Sequence, residues 1–262
     1  MTALALAAVV FVVLWAVLVV TAHVLNPEQS LLSMGMSGLA RGRAPWLMKA
    51  SLVARGLSAL CLVAALPAVL GSGALALIGL VLLWVWGVGS AALALADTDM
   101  PGEQPTRAGA THALIALVAY VAGAAGAVAL ALALRGEDAT AGVARWALPI
   151  ALAATVALIA QFAAFGAAGR EARGAEAAPA GAPADDPSGD PAIAPATAPA
   201  ASAAPAAGVP PQLTGGSDAG QSKRAPVSAA SLSRGLAGYA GLLQRVFVGL
   251  LMIWTVAVAL GI

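Results

Sequence analysis

The chain has 262 residues, of which 61% are hydrophobic and 10% are charged, and its mean hydropathy is +0.91. A soluble domain cannot bury so much apolar surface, so this composition excludes a soluble globular protein and predicts a membrane protein. The 13 basic and 12 acidic residues nearly balance, which argues against nucleic acid or another polyanion as a partner.

Six apolar stretches are long enough to span a bilayer, which takes about 20 residues of helix. In chain order they comprise about residues 4–25, 46–70, 74–96, 111–134, 146–168 and 239–260. The second and third are separated by Gly71, Ser72 and Gly73 alone, so these two helices are expected to be antiparallel neighbours. The sequence therefore predicts an all-α fold, a polytopic membrane protein built as a bundle of six transmembrane helices.

The segment before the last helix has a different composition. From residue 170 to about 230 it is rich in Ala, Pro, Gly, Ser and Asp and has no aromatic residue. Such a segment buries too little apolar surface to offset the entropy lost on ordering it, so we expect a disordered loop. The predicted organisation is helices one to five in residues 1–169, a disordered cytoplasmic loop in residues 170–236, and helix six in residues 237–262. The first and last parts form one membrane domain.

Basic residues are concentrated in the loops after helices one, three and five. These loops contain Arg41, Arg43, Arg107, Arg170, Arg173, Lys223, Arg224 and Arg234. The opposite side has Arg135 and Arg145. Because Lys and Arg accumulate in cytoplasmic loops, both termini are predicted to be periplasmic. Eleven arginines against two lysines, with abundant Ala and Gly, are typical of a GC-rich bacterial genome, so the predicted location is the bacterial inner membrane.

Residues 97–112 are the most polar part of the predicted helical core, with three acids, one Arg and one of the two histidines. Asp97, Asp99 and His112, together with Arg55, are therefore the candidate catalytic residues. His23 and His112 with Asp97 or Asp99 form a candidate three-ligand zinc site with an open position. The alternatives are a solvated turn for the acids and hydrogen bonds to neighbouring loops for the histidines.

Arg55 is the charged residue that most needs a partner, because it lies roughly 13 Å along the second helix. Ser51 and Ser58 share its helix face at the spacing i, i+4, i+7. An unpaired Arg in lipid costs at least ~2.5 kcal/mol. We therefore expect Arg55 to point into the bundle and to meet Asp97, Asp99 or a polar group beside them. The alternative is an Arg that extends to the headgroups.

Several short motifs resemble a known family. They are His23-Val24-Leu25-Asn26-Pro27 with Ser30 and Ser33, Trp46-Leu47-Met48-Lys49, Arg55-Gly56-Leu57, Asp97-Thr98-Asp99-Met100-Pro101, Gly109-Ala110-Thr111-His112 and Gly241-Leu242-Leu243-Gln244-Arg245. Together they resemble the prokaryotic six-span membrane family catalogued as domain of unknown function 998, over nearly the whole chain apart from the Ala-Pro segment. The resemblance implies the six-helix architecture and draws attention to the Asp/His loop, but it implies no reaction.

Three functions remain open from the sequence. The first is a non-enzymatic integral membrane protein of unknown activity, lipid-interacting or envelope-supporting, with membrane lipid as its partner and no cofactor. The second is an intramembrane metal-dependent lipid hydrolase that uses zinc at the candidate site. The third is a small transporter with Arg55 on the substrate path. The substrate, any protein partner and the oligomeric state are not determined by the sequence.

Overall fold

All six predicted membrane helices form in the computed structural model, which describes residues 2–100, 103–137, 140–177 and 235–262. The helices are α1 Ala3–Leu25, α2 Pro45–Ala65, α3 Ala74–Ala92, α4 Arg107–Leu134, α5 Ala141–Ala177 and α6 Ala240–Leu260. Each is long enough and apolar enough to cross a membrane. The regular structure of the described residues is entirely helical, which confirms the predicted fold class.

In α2, α3 and α4, one end differs by several residues from the predicted one, for local reasons. The second helix ends at Ala65 instead of residue 70, and a short 3-10 helix, Leu66–Ala68, follows it, because Pro67 has no N–H to continue the α-helical pattern. The third helix ends at Ala92 instead of residue 96, where the hydrogen bonds shorten to three-residue turns. The fourth helix begins at Arg107 instead of residue 111, because the side chain of Thr106 caps it.

The fifth helix is longer than predicted at both ends. It runs through Ala141–Ala177, whereas the sequence predicts residues 146–168. The first part of the predicted disordered loop, residues 170–177, is therefore helical, and this part of the prediction is wrong. Ala and Glu in these residues are strong helix formers and let the helix continue. Most of the predicted loop, residues 178–234, lies outside the described residues.

The six helices pack as a closed ring in chain order. Each helix contacts the next one in the chain, and α6 contacts α1. The contact between α6 and α1 is the least extensive of those between ring neighbours. Glycines bring neighbouring helices close together. A Cβ at Gly56 of α2 would lie 2.6 Å from the carbonyl oxygen of Gly87 on α3, and one at Gly79 of α3 would lie 2.6 Å from the Leu130 side chain on α4. The antiparallel pairing of α2 with α3 is thus confirmed.

One end of the bundle is covered by ordered chain, and we call it the loop end. It comprises the C-terminal ends of α1 and α3, the N-terminal ends of α2, α4 and α6, and the segment of residues 26–44. Asn26 connects this segment to α1 and is 1% exposed. Its Nδ2 donates a hydrogen bond to the carbonyl of Ala22 at 2.7 Å, and its Oδ1 accepts one from the N–H of Arg43 at 2.7 Å. The N–H of Leu242 on α6 donates to the carbonyl of Leu32 at 2.9 Å, so the segment also docks on α6.

Candidate functional site

Arg55 points into the centre of the bundle, as predicted, and is 1% exposed. Its Nε donates a hydrogen bond to the hydroxyl of Ser90 on α3 at 3.2 Å. Its guanidinium carbon lies 5.6 Å from the ring centroid of Tyr120 on α4, a cation–π geometry. Its Nη2 is buried and has no hydrogen-bond partner among the described residues. Extension to the headgroups, the alternative for this side chain, does not occur.

Arg55 contacts neither Asp97 nor Asp99, so the part of the prediction that paired it with an acid is wrong. Asp97 instead pairs with Lys49, with 3.1 Å between Oδ1 and Nζ. Because α3 ends at Ala92, the chain leaves the helix before it reaches Asp97, and the carboxylate lies level with the start of α2. Arg55 is six residues further along α2 than Lys49, roughly 9 Å deeper in the bundle. The guanidinium therefore meets the polar side chain of Ser90 instead of an acid.

Asp99 holds the N-terminus of α4. Its carboxylate accepts hydrogen bonds from the backbone N–H and the hydroxyl of Thr106, at 2.8 and 2.7 Å. The hydroxyl oxygen of Thr106 in turn accepts from the N–H of Gly109 at 3.0 Å. The bond from the backbone N–H of Thr106, and then that from its hydroxyl, lower the pKa of Asp99. Gly109 leaves room for the carboxylate, because a Cβ at this position would collide with it.

Gln244 and Tyr120 continue the polar contacts from Arg55 to the loop end. The Nε2 of Gln244 donates to the hydroxyl of Tyr120 at 3.1 Å, and its Oε1 accepts from the backbone N–H of Met36 at 2.6 Å. We call Ser90, Arg55, Tyr120, Gln244 and the N–H of Met36 the central polar chain. It links α3, α2, α4, α6 and the segment of residues 26–44 through buried groups.

Tyr120 and Gln244 were not identified as site residues from the sequence. A signal was present for Gln244, since a polar amide within an apolar span needs a buried partner. For Tyr120 the sequence carries a weaker signal, because an aromatic ring with one hydroxyl is ordinary in an apolar helix.

His23 near the end of α1 forms hydrogen bonds with Arg245 on α6. The Nδ1 of His23 donates to the carbonyl of Val19 at 2.8 Å, so its Nε2 is an acceptor for Arg245, at 3.2 Å from Nε and 2.8 Å from Nη2. The Nη1 of Arg245 donates to the carbonyls of Met34 and Gly241, both at 2.8 Å. All these acceptors are neutral. Within the described part of the chain no carboxylate lies within 4 Å of Arg245.

The structure does not bring the predicted zinc ligands together. His112 donates from Nδ1 to the carbonyl of Ala96 at 2.9 Å, whereas His23 is bonded to a guanidinium that would repel a metal ion. Asp97 and Asp99 are bonded to Lys49 and Thr106. Among the residues with described positions, no three His, Cys, Asp or Glu side chains are grouped so that they would hold a metal ion. His112 adopts the alternative considered from the sequence, a hydrogen bond to a neighbouring loop, whereas His23 bonds to Val19 of its own helix and to Arg245 on α6.

An open apolar groove runs along the outside of the bundle between α1 and α6. It consists of two cavities of about 510 and 380 Å³, and Trp15 lines both. The other lining residues are Val12, Ala16, Gly249, Met252, Ile253, Val256 and Ala257 in the larger cavity, and Val19, Val20, His23, Val24, Leu31, Met36 and Arg245 in the smaller one. We call this feature the α1/α6 groove. No atom lies within 4 Å of where a Cβ of Gly249 would be, so this residue keeps the groove wide.

The comparison with known proteins gives one match. The model of a family described as "Protein of unknown function (DUF998)" matches residues 6–182. This is the family that the sequence motifs resemble, but the match ends before α6, so the Gly241–Arg245 motif lies outside it. No curated protein and no solved structure matches the chain.

Proposed function

The chain belongs to this DUF998 family of proteins of unknown function, and we propose that it is a lipid-binding protein that holds an acyl chain in the α1/α6 groove. Its six candidate spans make it a multi-pass membrane protein. The observation that supports lipid binding is the groove itself, which is lined almost entirely by apolar surface and has His23 and Arg245 among its lining residues at one end. The volumes of its two cavities fall in the range of ligand sites, about 300–1,000 Å³.

The length of the groove fits a lipid in one leaflet. Along α1 it extends from Val12 to His23, which at about 1.5 Å per residue is roughly 16 Å. One leaflet contributes about half of the ~30 Å hydrocarbon thickness. An acyl chain that starts beside His23 would therefore reach the far end of the groove near the bilayer midplane.

The orientation that we propose places the loop end in the cytoplasm. Among the described residues, Arg41, Arg43, Lys49, Arg107 and Arg245 lie at or near this end, whereas Arg135 and Arg145 lie at the other. The excess of Lys and Arg supports a cytoplasmic loop end in a bacterial inner membrane. The α1/α6 groove would then open to the cytoplasmic leaflet.

Native mass spectrometry of the detergent-extracted protein tests lipid binding at the groove. The wild-type protein should retain one phospholipid, and Gly249→Leu should lose it because the leucine side chain fills the space that the acyl chain would occupy. A Cβ at Gly249 meets no protein atom, so the variant should fold as the wild type does. Retention of the same lipid by Gly249→Leu would contradict the proposal.

The matched control fills a different groove. Ala125 lines a cavity of about 560 Å³ between α4 and α5 and is exposed. Ala125→Leu adds the same apolar side chain at another lipid-facing surface, and it should leave lipid retention unchanged. A loss of lipid in both variants would indicate a general effect of added apolar bulk and would count against the proposal.

A further inference from the structure

A basic residue at one end, Arg245, distinguishes the α1/α6 groove from the other apolar grooves of the bundle. A cavity between α3 and α4, lined by Trp84, Leu114 and their neighbours, and the α4/α5 cavity beside Ala125 have no charged lining residue. The α1/α6 groove is lined by the guanidinium of Arg245 and the imidazole of His23. An acyl chain alone would fit any of these surfaces, but a lipid with a charged headgroup would distinguish between them.

Arg245 has one N–H donor left for an anion. A guanidinium has five N–H donors, and the structure assigns four hydrogen bonds to those of Arg245, all to neutral acceptors in His23, Met34 and Gly241. One Nη2 hydrogen is not used by these bonds. A phosphate oxygen beside it would form a charge-assisted hydrogen bond, which is stronger than the neutral ones already present.

The position of Arg245 along α6 suits a headgroup contact. It is the sixth residue of the helix, roughly 8 Å from the first one. It is neither fully buried, as Arg55 is, nor fully exposed. With the start of α6 at the headgroup boundary, the guanidinium would lie near the level of a lipid phosphate whose acyl chain extends along the groove.

We infer that the occupant of the α1/α6 groove is a phospholipid with a net negative headgroup, whose phosphate contacts Arg245 and whose acyl chain passes Trp15. This inference rests on the proposed function and adds the headgroup class to it. His23 has a positioning role: its Nε2 accepts from Nε and Nη2 of Arg245, which holds the guanidinium beside the groove.

Fluorescence quenching by brominated lipids tests the headgroup class. The protein is reconstituted in phosphatidylcholine vesicles with increasing fractions of brominated phosphatidylglycerol or, separately, of brominated phosphatidylcholine with the same chains. The difference between wild type and Trp15→Phe isolates the quenching of Trp15. We expect the lipid fraction at half-maximal quenching of Trp15 to be about fivefold lower for brominated phosphatidylglycerol than for brominated phosphatidylcholine. This factor is typical of one basic residue.

Two controls assign the preference to Arg245. The difference between wild type and Trp84→Phe reports the uncharged α3/α4 cavity, where both lipids should quench equally. Arg245→Gln, or 1 M salt acting on the wild type if that variant does not fold, should bring the two Trp15 midpoints together.

The outcomes separate the inference from the proposed function. Equal midpoints for Trp15 in low salt would overturn the anionic headgroup, while the groove would remain a lipid site. If Gly249→Leu left the quenching of Trp15 unchanged for both lipids, the groove would hold no acyl chain and the proposed function would fail. An equal preference for the anionic lipid at Trp84 would also overturn the inference, because it would reflect surface potential alone.

Discussion

The Nε of Arg55 donates a hydrogen bond to the hydroxyl of Ser90 across the interface of α2 and α3, at 3.2 Å. This contact and the ring of Tyr120 are the compensation that the described structure provides for a charge in the centre of the bundle. Neither partner is an anion. The cationic centre therefore has a desolvation cost that is only partly offset.

Replacement of Arg55 by an apolar residue of similar length should not destabilise the protein. For Arg55→Met we expect a free energy of unfolding that is unchanged or raised by up to about 2 kcal/mol, because the desolvation cost disappears with the charge. Ser90→Ala should lower it by about 1 kcal/mol, because the guanidinium loses a hydrogen bond and stays buried. Unfolding in mixed detergent measures both. A loss of more than 2 kcal/mol in Arg55→Met would indicate an anionic partner.

The separation of Arg55 from Asp97 gives a second test. Since Asp97 contacts Lys49 and both side chains are largely exposed, Asp97→Asn should cost less than about 1 kcal/mol. The effects of Arg55→Met and Asp97→Asn should add in the double variant. A coupling energy above about 0.5 kcal/mol between the two substitutions would indicate an ion pair between Arg55 and Asp97.

Asp99 should make the stability depend on pH in the acid range. Its folded-state pKa is lowered from 3.8 by the hydrogen bonds from Thr106, so its contribution is fully present above that value and is lost as pH falls through the lower folded-state pKa. Asp99→Asn should reduce the change of the free energy of unfolding with pH between pH 5 and 2. It should leave the change with pH near neutrality as in the wild type. Thermal unfolding measured over this range checks the difference. An unchanged acid slope in Asp99→Asn would refute the assigned role.

His23 should stabilise the loop end through Arg245. His23→Leu removes the acceptor of two guanidinium donors, and we expect a loss of about 1–3 kcal/mol. His23→Gln offers an amide oxygen at a similar reach and should lose less. Limited proteolysis of residues 26–44 provides an independent readout, because this segment is held by Arg245 through Met34. Equal proteolysis of wild type and His23→Leu would argue against this role.

The proposed orientation is tested by fusions at the C-terminus. A reporter that is active only in the cytoplasm should be inactive when it follows Ile262, whereas a periplasmic alkaline phosphatase should be active. The opposite pair of results would reverse the orientation and would move the α1/α6 groove to the periplasmic leaflet. The groove and its contacts would be unaffected.

The helices could be predicted because length and apolarity alone decide whether a segment spans a bilayer. Their ends were less predictable, since α4 begins at Arg107 through the capping of Thr106 and the carboxylate of Asp99, which act across several residues of loop. The inward direction of Arg55 followed from the cost of exposing a guanidinium to lipid. The partner of Arg55 could not be predicted in the same way. The sequences of α3 and α4 are apolar on nearly every face, so they do not define which residues turn inward.

The α1/α6 groove could not be predicted from the sequence, for a related reason. Trp15 and Gly249 lie on helices separated by most of the chain, and each reads as an ordinary residue of an apolar span. His23 was identified as a candidate zinc ligand. Its partner Arg245 is 222 residues away, and their contact depends on the closure of the ring between α1 and α6. Arg245 lies at the end of the apolar α1/α6 groove because α1 packs against α6.

Photolabelling locates the acyl chain that we propose in the α1/α6 groove. A phosphatidylglycerol with a diazirine in its acyl chain is incorporated at a low fraction into vesicles that contain the protein, and the labelled residues are mapped by mass spectrometry after irradiation. We expect labels concentrated on residues 12–23 of α1 and 249–257 of α6, and we expect these labels to be lost in Gly249→Leu but not in Ala125→Leu. Labels distributed evenly over the lipid-facing sides of all six helices would contradict the proposal.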